Sequence, residues 1–96
     1  MKGIVYIITN KSNSVFYAGV TSDLKERMEQ HKLKKHPDSF SARYNLDKLV
    51  YYETFVTIGE AIIKEKKIKG GSRKKKMDLI SSTNPEWQDL FNDLEG

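Results

Sequence analysis

Two charged or titratable side chains interrupt the apolar stripe of a helix that the sequence predicts over residues 22–34. Leu24, Arg27, Met28 and His31 fall at positions i, i+3, i+4 and i+7, which share one helix face. A stripe that faces a core normally carries aliphatic residues. We therefore predict that this face turns toward a reaction centre and not toward a purely apolar core. A histidine packed between helix and sheet is the competing interpretation of His31.

A carboxylate occupies a similar inward position on a second predicted helix. Thr57-Ile58-Gly59-Glu60 is a capping box that opens this helix, which ends near Gly70-Gly71. Glu65 falls on the same face as its apolar stripe, which consists of Ile58, Ala61, Ile62 and Ile68. An inward carboxylate is costly unless it is paired or binds a metal. Two explanations stay open: an ion pair with Arg27 or with a lysine, and a metal site.

Three predicted strands would position these helices. The first two strands, Gly3–Thr9 and Val15–Val20, are joined by a polar turn, and Lys48–Val56 is rich in β-branched and aromatic residues. Both faces of the first strand are apolar, which predicts a central strand that is covered on both sides.

Tyrosines lie inside both strands of the predicted hairpin. If paired residue numbers sum to 23, Tyr6 lies opposite Tyr17, whereas a sum of 24 sends the two side chains to opposite faces. The turn does not decide between the two registers. Either tyrosine taken alone is also explained as an aromatic β-former packing in the sheet. Gly19, in the second strand, predicts a close approach of backbone or substrate.

The remaining segments predict short helices and a basic surface. Residues 38–46 form a loop with room for one helical turn. Ser72 caps a third long helix, which Met77, Leu79 and Ile80 would anchor and whose first turn is Arg73-Lys74-Lys75-Lys76. Four cations at a helix N-terminus oppose its dipole, which favours a docked anion such as a nucleic-acid phosphate over a merely exposed basic turn. Asn84-Pro85 predicts the start of a last helix with Trp87, Leu90, Phe91 and Leu94 inward, and this capping role competes with a catalytic one for Asn84.

Composition limits the functional classes. Ninety-six residues predict one domain, and the absence of cysteine excludes disulfides and thiolate metal sites. The early apolar run Ile4–Ile8 is too short for a signal peptide or a membrane span, so a soluble cytoplasmic protein is expected. Residues 1–76 carry a net charge of +9 and residues 78–96 carry −5, which favours a polyanionic partner for the first part, with a solvated lysine-rich surface as the alternative.

These features together resemble the GIY-YIG nuclease family in its small, single-domain bacterial form. The two tripeptides of the family name correspond to Ile4-Val5-Tyr6 and Tyr17-Ala18-Gly19, with Ile4 in place of glycine and Ala18 in place of isoleucine. The segment from Thr21 to His31 resembles the arginine helix of the family, and the segment from Ala61 to Glu65 resembles the helix with its metal-binding glutamate. Lys48–Phe55, Lys69–Ile80 and Asn84–Leu90 also resemble the bacterial branch, so the likeness covers nearly the whole chain.

The resemblance implies an α+β fold in which a three-stranded antiparallel sheet is flanked by three to four helices, forming a single domain over residues 1–96. It also implies a divalent-metal-dependent endonuclease that hydrolyses phosphodiester bonds. Arg27 would bind the phosphate, Tyr6 would act as the base or its relay, and Tyr17 would orient water or phosphate. His31 would shuttle protons or contact phosphate, and Glu65 would hold one Mg²⁺ or Mn²⁺ ion.

The implied substrate is nucleic acid, with DNA as the expectation and DNA repair as the setting. The expected nucleic-acid-binding residues are Gly19, Arg43, Tyr44, Lys69, Arg73, Lys74, Lys75 and Lys76. The chain shows no additional DNA-targeting module, which favours selection of structure over sequence, with help from a targeting protein or a second copy of the chain.

Two other functions compete with the nuclease. A nucleic-acid-binding module without turnover suits the basic helix start and Tyr44 but gives no reason for an inward Glu65. A protein-interaction domain would use the acidic segment from Trp87 to Glu95.

Overall fold

A three-stranded antiparallel sheet with the strand order β2-β1-β3 forms the centre of the molecule. The computed structural model describes residues 2–34 and 36–94. Its elements, in chain order, are β1 (Gly3–Thr9), β2 (Phe16–Thr21), α1 (Leu24–Lys32), α2 (Phe40–Arg43), β3 (Lys48–Phe55), α3 (Ile58–Gly70), α4 (Arg73–Thr83) and a 3₁₀ helix (Leu90–Asp93). This confirms the α+β architecture and the central place of β1. None of the helices described is long and apolar enough to cross a membrane.

The register of the β1–β2 hairpin places both tyrosines on one face of the sheet. Tyr6 pairs with Gly19 and Ile8 pairs with Tyr17, so paired residue numbers sum to 25. Neither 23 nor 24 is therefore the register. An odd sum still keeps Tyr6 and Tyr17 on the same face, where they are diagonal neighbours instead of direct partners.

Each face of the sheet is covered by its own core. One cluster, packed under α3 and α4, contains Val5, Ile7, Ala18, Val50, Tyr51, Ile68 and Ile80. The other, under α1 and the C-terminal segment, contains Tyr6, Ile8, Leu24, Met28, Leu46 and Leu49. Residues of β1 contribute to both clusters, which confirms that this strand is covered on both sides.

The caps predicted at Thr57 and Ser72 are confirmed, and α1 also begins at a capping side chain. The Asp23 side chain accepts a hydrogen bond from the Glu26 N–H, and Thr57 and Glu60 form a reciprocal capping box. Ser72 caps α4 by accepting from the Lys75 N–H. One helical turn, α2, lies inside the segment predicted as a loop. These local signals need only the few residues around each helix start, which is why the sequence reveals them.

The predicted last helix is wrong. Asn84 ends α4 instead of opening a new helix, and its buried amide donates to the carbonyl oxygens of Val50 and Gln88 at 3.1 and 2.9 Å. The chain then turns through Trp87, whose φ of 54° is incompatible with a right-handed helix. Only the 3₁₀ helix follows, and Leu90, Phe91 and Leu94 still pack inward against the Tyr6 cluster.

Smaller differences concern element ends and two apolar side chains. Helix α1 ends at Lys32 because Lys34 has a φ of 52°, and β2 and β3 are each shifted or shortened by one residue at their ends. Ile62 is 41% exposed and Met77 is 39% exposed, so neither anchors its helix as predicted. The core contacts of α3 and α4 fall instead on Ala61, Ile68 and Ile80, because each helix buries a narrower stripe than its apolar residues suggest.

Candidate active site

The phenol of Tyr6 lies at the centre of the candidate site, against the backbone of β2. Tyr6 is 0% exposed. A Cβ built on Gly19 would lie 2.5 Å from Tyr6 Oη and 2.6 Å from its Cζ. Only glycine therefore leaves room for the ring at this position. The close approach predicted at Gly19 is made by the Tyr6 side chain.

His31 lies beside both tyrosines and is held at both ring nitrogens. Its Nε2 is 3.2 Å from Tyr6 Oη, and its Nδ1 is 3.0 Å from Ser41 Oγ. The His31 ring centroid lies 5.9 Å from that of Tyr6 and 6.4 Å from that of Tyr17. Ser41 Oγ in turn lies 3.2 Å from Ser39 Oγ, which extends the hydrogen-bonded chain into α2.

Charges around the Tyr6 phenol act in opposite directions. Burial raises the pKa of Tyr6, the Arg27 guanidinium works against that rise by charge and hydrogen bonding, and the Tyr17 and Glu65 groups add to it. Burial also lowers the pKa of His31, and the charges of Arg27 and His36 lower it further. Tyr6 is therefore a protonated phenol and His31 a neutral imidazole at neutral pH.

Glu65 pairs with Lys69 on helix α3, and Lys69 lies near Tyr17. The Glu65 side chain is 18% exposed and lies 3.2 Å from Lys69 Nζ, one helical turn later. The same Nζ is 5.6 Å from the Tyr17 ring centroid. Of the pairings predicted for Glu65, the structure has the one to a lysine and not the one to Arg27.

The donor set around Glu65 limits which metal can fit. Among the described residues, no three or more histidine, cysteine, aspartate or glutamate side chains lie close enough together to hold a metal ion. A closed site of the zinc type needs three or four such ligands. Mg²⁺ is commonly held by one or two carboxylates, with waters and substrate phosphates as its other ligands. A single, partly buried Glu65 fits that second arrangement.

A cavity of about 330 Å³ opens beside these groups. Three predicted site residues, Tyr17, Arg27 and His31, line it together with Ser41 and Phe40. Its other lining residues are Gln30, Lys34, His36 and Ser39, so the charged groups in its wall are cationic or titratable to cations. A phosphate group suits a cavity of this charge and size.

An aromatic row leads from this cavity to the surface. The Phe40 ring centroid lies 6.3 Å from that of Tyr17 and 4.7 Å from that of Tyr44. Phe40 and Tyr44 are both close to half exposed, and Arg43 is exposed between them. The structure thus brings Tyr44 to the rim of the site, and Arg43, the preceding residue, is exposed.

The cations of the first turn of α4 do not join the Tyr6 group. Arg73 lies over the Phe16 ring at 4.8 Å, and Lys74 pairs with Asp78 at 3.0 Å. Lys76 donates to the Gly71 carbonyl oxygen at 2.9 Å, which relieves part of the mismatch with the helix dipole. Lys75 is exposed. Binding of an anion by these four residues stays a prediction.

Asn84 also lies away from the site. It is 5% exposed, and its hydrogen bonds go to Val50 and Gln88, so its position is explained by the end of α4 alone. Conversely, sequence reasoning missed Ser39 and Ser41. Serine at the start of a one-turn helix signals a cap, but no pattern in the sequence shows that Ser41 meets His31 ten residues earlier.

A model of the GIY-YIG catalytic domain matches residues 2–78. The chain belongs to the GIY-YIG family. The matched range includes Tyr6, Tyr17, Arg27, His31 and Glu65 and ends before Asn84. The chain is therefore a member of a nuclease family.

The chain is also similar to curated proteins and to a solved structure that carry the name UPF0213. The chain is 37% identical over 84 residues to a UPF0213 protein of Staphylococcus saprophyticus, a match that covers 83% of this chain and 95% of the relative. It is 38% identical over 82 residues to a UPF0213 protein of Clostridium perfringens, covering 81% and 82%. The solution NMR structure of a UPF0213 protein from Bacillus halodurans superposes with a TM-score of 0.59 at 29% identity, covering 94% of each chain.

Proposed function

We propose that this GIY-YIG protein is an endonuclease that hydrolyses phosphodiester bonds of DNA with one divalent ion, Mg²⁺ or Mn²⁺. One observation carries the proposal. The buried Tyr6 phenol is hydrogen-bonded to a neutral histidine while the charges of Arg27 and Glu65 both act on it. A buried tyrosine needed only for packing would not require an arginine and a glutamate in its surroundings.

The residues divide the work of hydrolysis as follows. Negative charge builds up on the scissile phosphate, and the Arg27 guanidinium in the cavity wall can stabilise it with two parallel hydrogen bonds. The attacking water must lose a proton, and Tyr6 accepts it once its own proton has moved to His31 Nε2, 3.2 Å away. Tyr17, beside His31 in the cavity wall, orients the phosphate or the water through its hydroxyl group.

Glu65 would hold the metal ion, which when bound supplies Lewis-acid stabilisation of the leaving oxygen. The carboxylate would then exchange its contact with Lys69 for one with the ion. Lys69 Nζ, freed from Glu65 but still near the Tyr17 ring, would contact a backbone phosphate.

The rim of the cavity favours DNA with unpaired or splayed bases. Phe40 and Tyr44 offer exposed aromatic rings, Arg43 adds an exposed cation in the same helical turn, and stacking on such rings accepts any base. This supports selection of structure over sequence. A targeting protein or a second copy of the chain would supply any further selectivity.

One observation favours a second candidate function, nucleic-acid binding without cleavage. Glu65 already has a partner in Lys69, which would satisfy its charge without a metal. In that case the aromatic rim and the cations would bind nucleic acid and Tyr6 would be a packing residue.

Cleavage assays on branched, nicked, single-stranded and linear duplex DNA, with and without Mg²⁺, separate the two candidates. The Glu65→Gln variant is expected to lose about 10²-fold or more in rate, as when one transition-state electrostatic contact is removed. It should keep its affinity for the same DNA. Glu29→Gln, an exposed carboxamide substitution on α1, serves as the matched control. Binding by the wild type without cutting on every substrate would favour the second candidate, and wild-type cleavage by Glu65→Gln would refute the role of Glu65.

A further inference from the structure

We propose that Ser41 is a positioning residue that holds His31 in the tautomer with the proton on Nδ1, so that Nε2 is free to receive the Tyr6 proton. The proposal deepens the proposed function, because it assigns how the proton acceptor of the same site is set up. It concerns a residue that has no role in the mechanism described so far.

Ser41 and Tyr6 contact opposite ring nitrogens of His31. Ser41 is 8% exposed, and its Oγ lies 3.0 Å from His31 Nδ1. The opposite ring nitrogen, Nε2, lies 3.2 Å from Tyr6 Oη. A neutral imidazole has one donor and one acceptor nitrogen, so the direction of the Ser41 hydrogen bond fixes the role that Nε2 plays toward Tyr6.

Hydrogen bonds link Ser39, Ser41 and His31, and their direction sets which His31 nitrogen carries the proton. Ser39 Oγ accepts the Ala42 N–H as the cap of α2. It also lies 3.2 Å from Ser41 Oγ. If the Ser41 hydroxyl donates to Ser39, Ser41 Oγ is left as an acceptor, and its remaining partner is the Nδ1–H of His31. Ser39 Oγ has a second lone pair for the Ser41 hydroxyl after it accepts the Ala42 N–H, so this arrangement, with the proton of His31 on Nδ1, satisfies all three groups.

The charged groups around His31 favour its neutral form. The groups that face His31 are Arg27 from its own helix, Tyr6 and Tyr17 from the sheet, and His36 and Lys34 from the segment after α1. No carboxylate lies among the cavity-lining residues, and Glu65 acts on the neighbouring Tyr6. A hydroxyl orients an imidazole without stabilising the imidazolium as a carboxylate would, which agrees with the lowered pKa of His31. His31 is thus oriented and kept neutral, ready to accept a proton.

In the resulting relay only protons change places. The attacking water gives a proton to Tyr6 Oη as Tyr6 gives its proton to His31 Nε2, and His31 leaves the step as an imidazolium whose Nδ1–H stays on Ser41. With the opposite tautomer, an Nε2–H would point at Tyr6 Oη and the phenol would have no acceptor.

The test reads the tautomer directly. In protein labelled with ¹⁵N, two-bond correlations of the His31 ring at pH 7.5 are expected to show a protonated Nδ1 and an unprotonated Nε2 in the wild type. Ser41→Ala should lose that preference and slow cleavage roughly 10- to 100-fold, the range found when a partner that orients a histidine is removed. Ser41→Thr, which keeps the hydroxyl, should restore both. Ser22→Ala, in an exposed position, is the control.

A wild-type His31 with its proton on Nε2 would overturn the proposal, whether or not Ser41→Ala folds. So would a Ser41→Ala variant that keeps the wild-type tautomer. Because the spectrum does not depend on catalysis, an inactive protein with the Nδ1–H tautomer would refute the proposed nuclease function and leave the Ser41 assignment standing.

A different observation, a lysine-lined groove between α3 and α4, carries a second inference. A cavity of about 200 Å³ is surrounded by Lys64, Lys67, Lys75 and Lys76 over a floor that includes Ile68 and Leu79, and no carboxylate lines it. We infer that this groove binds the phosphate backbone of a nucleic-acid segment other than the one being cut. The inference rests on nucleic acid being the substrate.

The position of the groove separates it from the cavity beside Tyr17. On α3, Lys64 and Lys67 lie about 100° and 160° around the helix axis from Glu65, on the same side, because successive residues are about 100° apart. Its floor residue Ile68 belongs to the core on the sheet face opposite Tyr6. A DNA segment in the cavity therefore does not reach these lysines, and a branched substrate would present a second backbone to them.

The salt dependence of binding tests the groove. The probes are a three-way branched DNA and a linear duplex of equal length, bound to Glu65→Gln protein so that no cleavage is needed. The slope of log K against log salt is negative, and replacing Lys64, Lys67 and Lys75 with glutamine should make it less steep by about 2–3 for the branched DNA. The slope for the linear duplex should change by less than about one.

Replacement of Lys2, Lys11 and Lys25 with glutamine removes the same charge from exposed positions and is the matched control. An equal loss of slope in this control, or an equal effect of the groove variant on branched and linear DNA, would overturn the inference. Cleavage by wild-type protein is measured separately, so the outcome does not depend on the nuclease proposal.

Discussion

Replacement of Gly19 by alanine should displace the Tyr6 phenol and destabilise the protein. The new Cβ would lie 2.5 Å from Tyr6 Oη and 2.6 Å from Cζ, whereas ordinary contacts begin at 3.4 Å. The ring would therefore have to retreat by about 1 Å. Tyr6 is 0% exposed and packed on every side, so the core must deform to let it move.

The magnitude follows from three contributions. Forcing an extra methyl group into a packed core costs about 1–3 kcal/mol. A 1 Å retreat of Oη would also break its 3.2 Å hydrogen bond to His31, which adds about 0.5–1.5 kcal/mol. Reduced freedom of the unfolded chain returns about 0.4–1 kcal/mol. The net loss is about 0.5–4 kcal/mol with a centre near 2 kcal/mol, and about 2 kcal/mol corresponds to roughly 8–16 °C in Tm for a chain of this size.

Urea unfolding followed by the fluorescence of Trp87 measures this loss. Trp87 is the single tryptophan, and its ring packs against Phe16 at 5.7 Å between centroids, so its emission reports the folded core. Gly70→Ala is the matched control, because no atom lies within 4 Å of the Cβ that it would add at the end of α3. That variant should be neutral or slightly stabilising.

Equal unfolding midpoints for Gly19→Ala and Gly70→Ala would refute the reasoning. Cleavage by the folded fraction of Gly19→Ala should also fall, since the Tyr6–His31 contact is lost. A Gly19→Ala variant that is destabilised but fully active would show that this contact is structural only.

Three further predictions concern stability. Asn84→Ala should lower the free energy of unfolding in urea by about 1–3 kcal/mol, because the buried Val50 carbonyl loses its donor, and cleavage per folded molecule should stay constant. Loss of cleavage would place Asn84 in the site. Because the pKa of His31 is lowered in the folded state, the free energy of unfolding should fall as pH drops below about 6.5, measured by urea titration at pH 7.5 and 5; a His31→Asn variant with the same fall would contradict this. Burial would raise the pKa of Asp89, but hydrogen bonds from Lys32 and two backbone N–H groups lower it overall. Asp89→Asn should therefore lower Tm at pH 7 and should reduce the additional loss of stability that the wild type shows below about pH 3.8. Thermal scans of the variant that match the wild type at both pH 7 and pH 3 would refute this prediction.

Several features of the fold could be predicted because short-range patterns encode them. Asp23, Thr57 and Ser72 announce helix starts, since a cap involves only residues within one turn. The same limit explains the failure at Asn84. Its sequence neighbours suit a helix start, but its amide is used by Val50 across the fold, 34 residues away.

The residue types of the candidate site could be predicted, but the contacts between these residues could not. Arg27, His31 and Glu65 stand out because a helical stripe with ionisable residues conflicts with a sealed core. The partner of Glu65 could not be chosen between Arg27 and a lysine, because ion pairs depend on distances that the sequence does not contain. The structure selects Lys69, one turn along the same helix.

By itself, the sequence determined the order of the three strands and the three long helices along the chain, the burial of β1 and the ionisable residues that interrupt two apolar helix stripes, because each follows from the pattern of apolar and polar side chains. Only the tertiary structure decided the hairpin register that lays Tyr6 over Gly19, and the contact of Ser41 with His31. Both depend on how separate elements pack against one another to within an ångström. Such distances are set by the whole core and by no local run of residues.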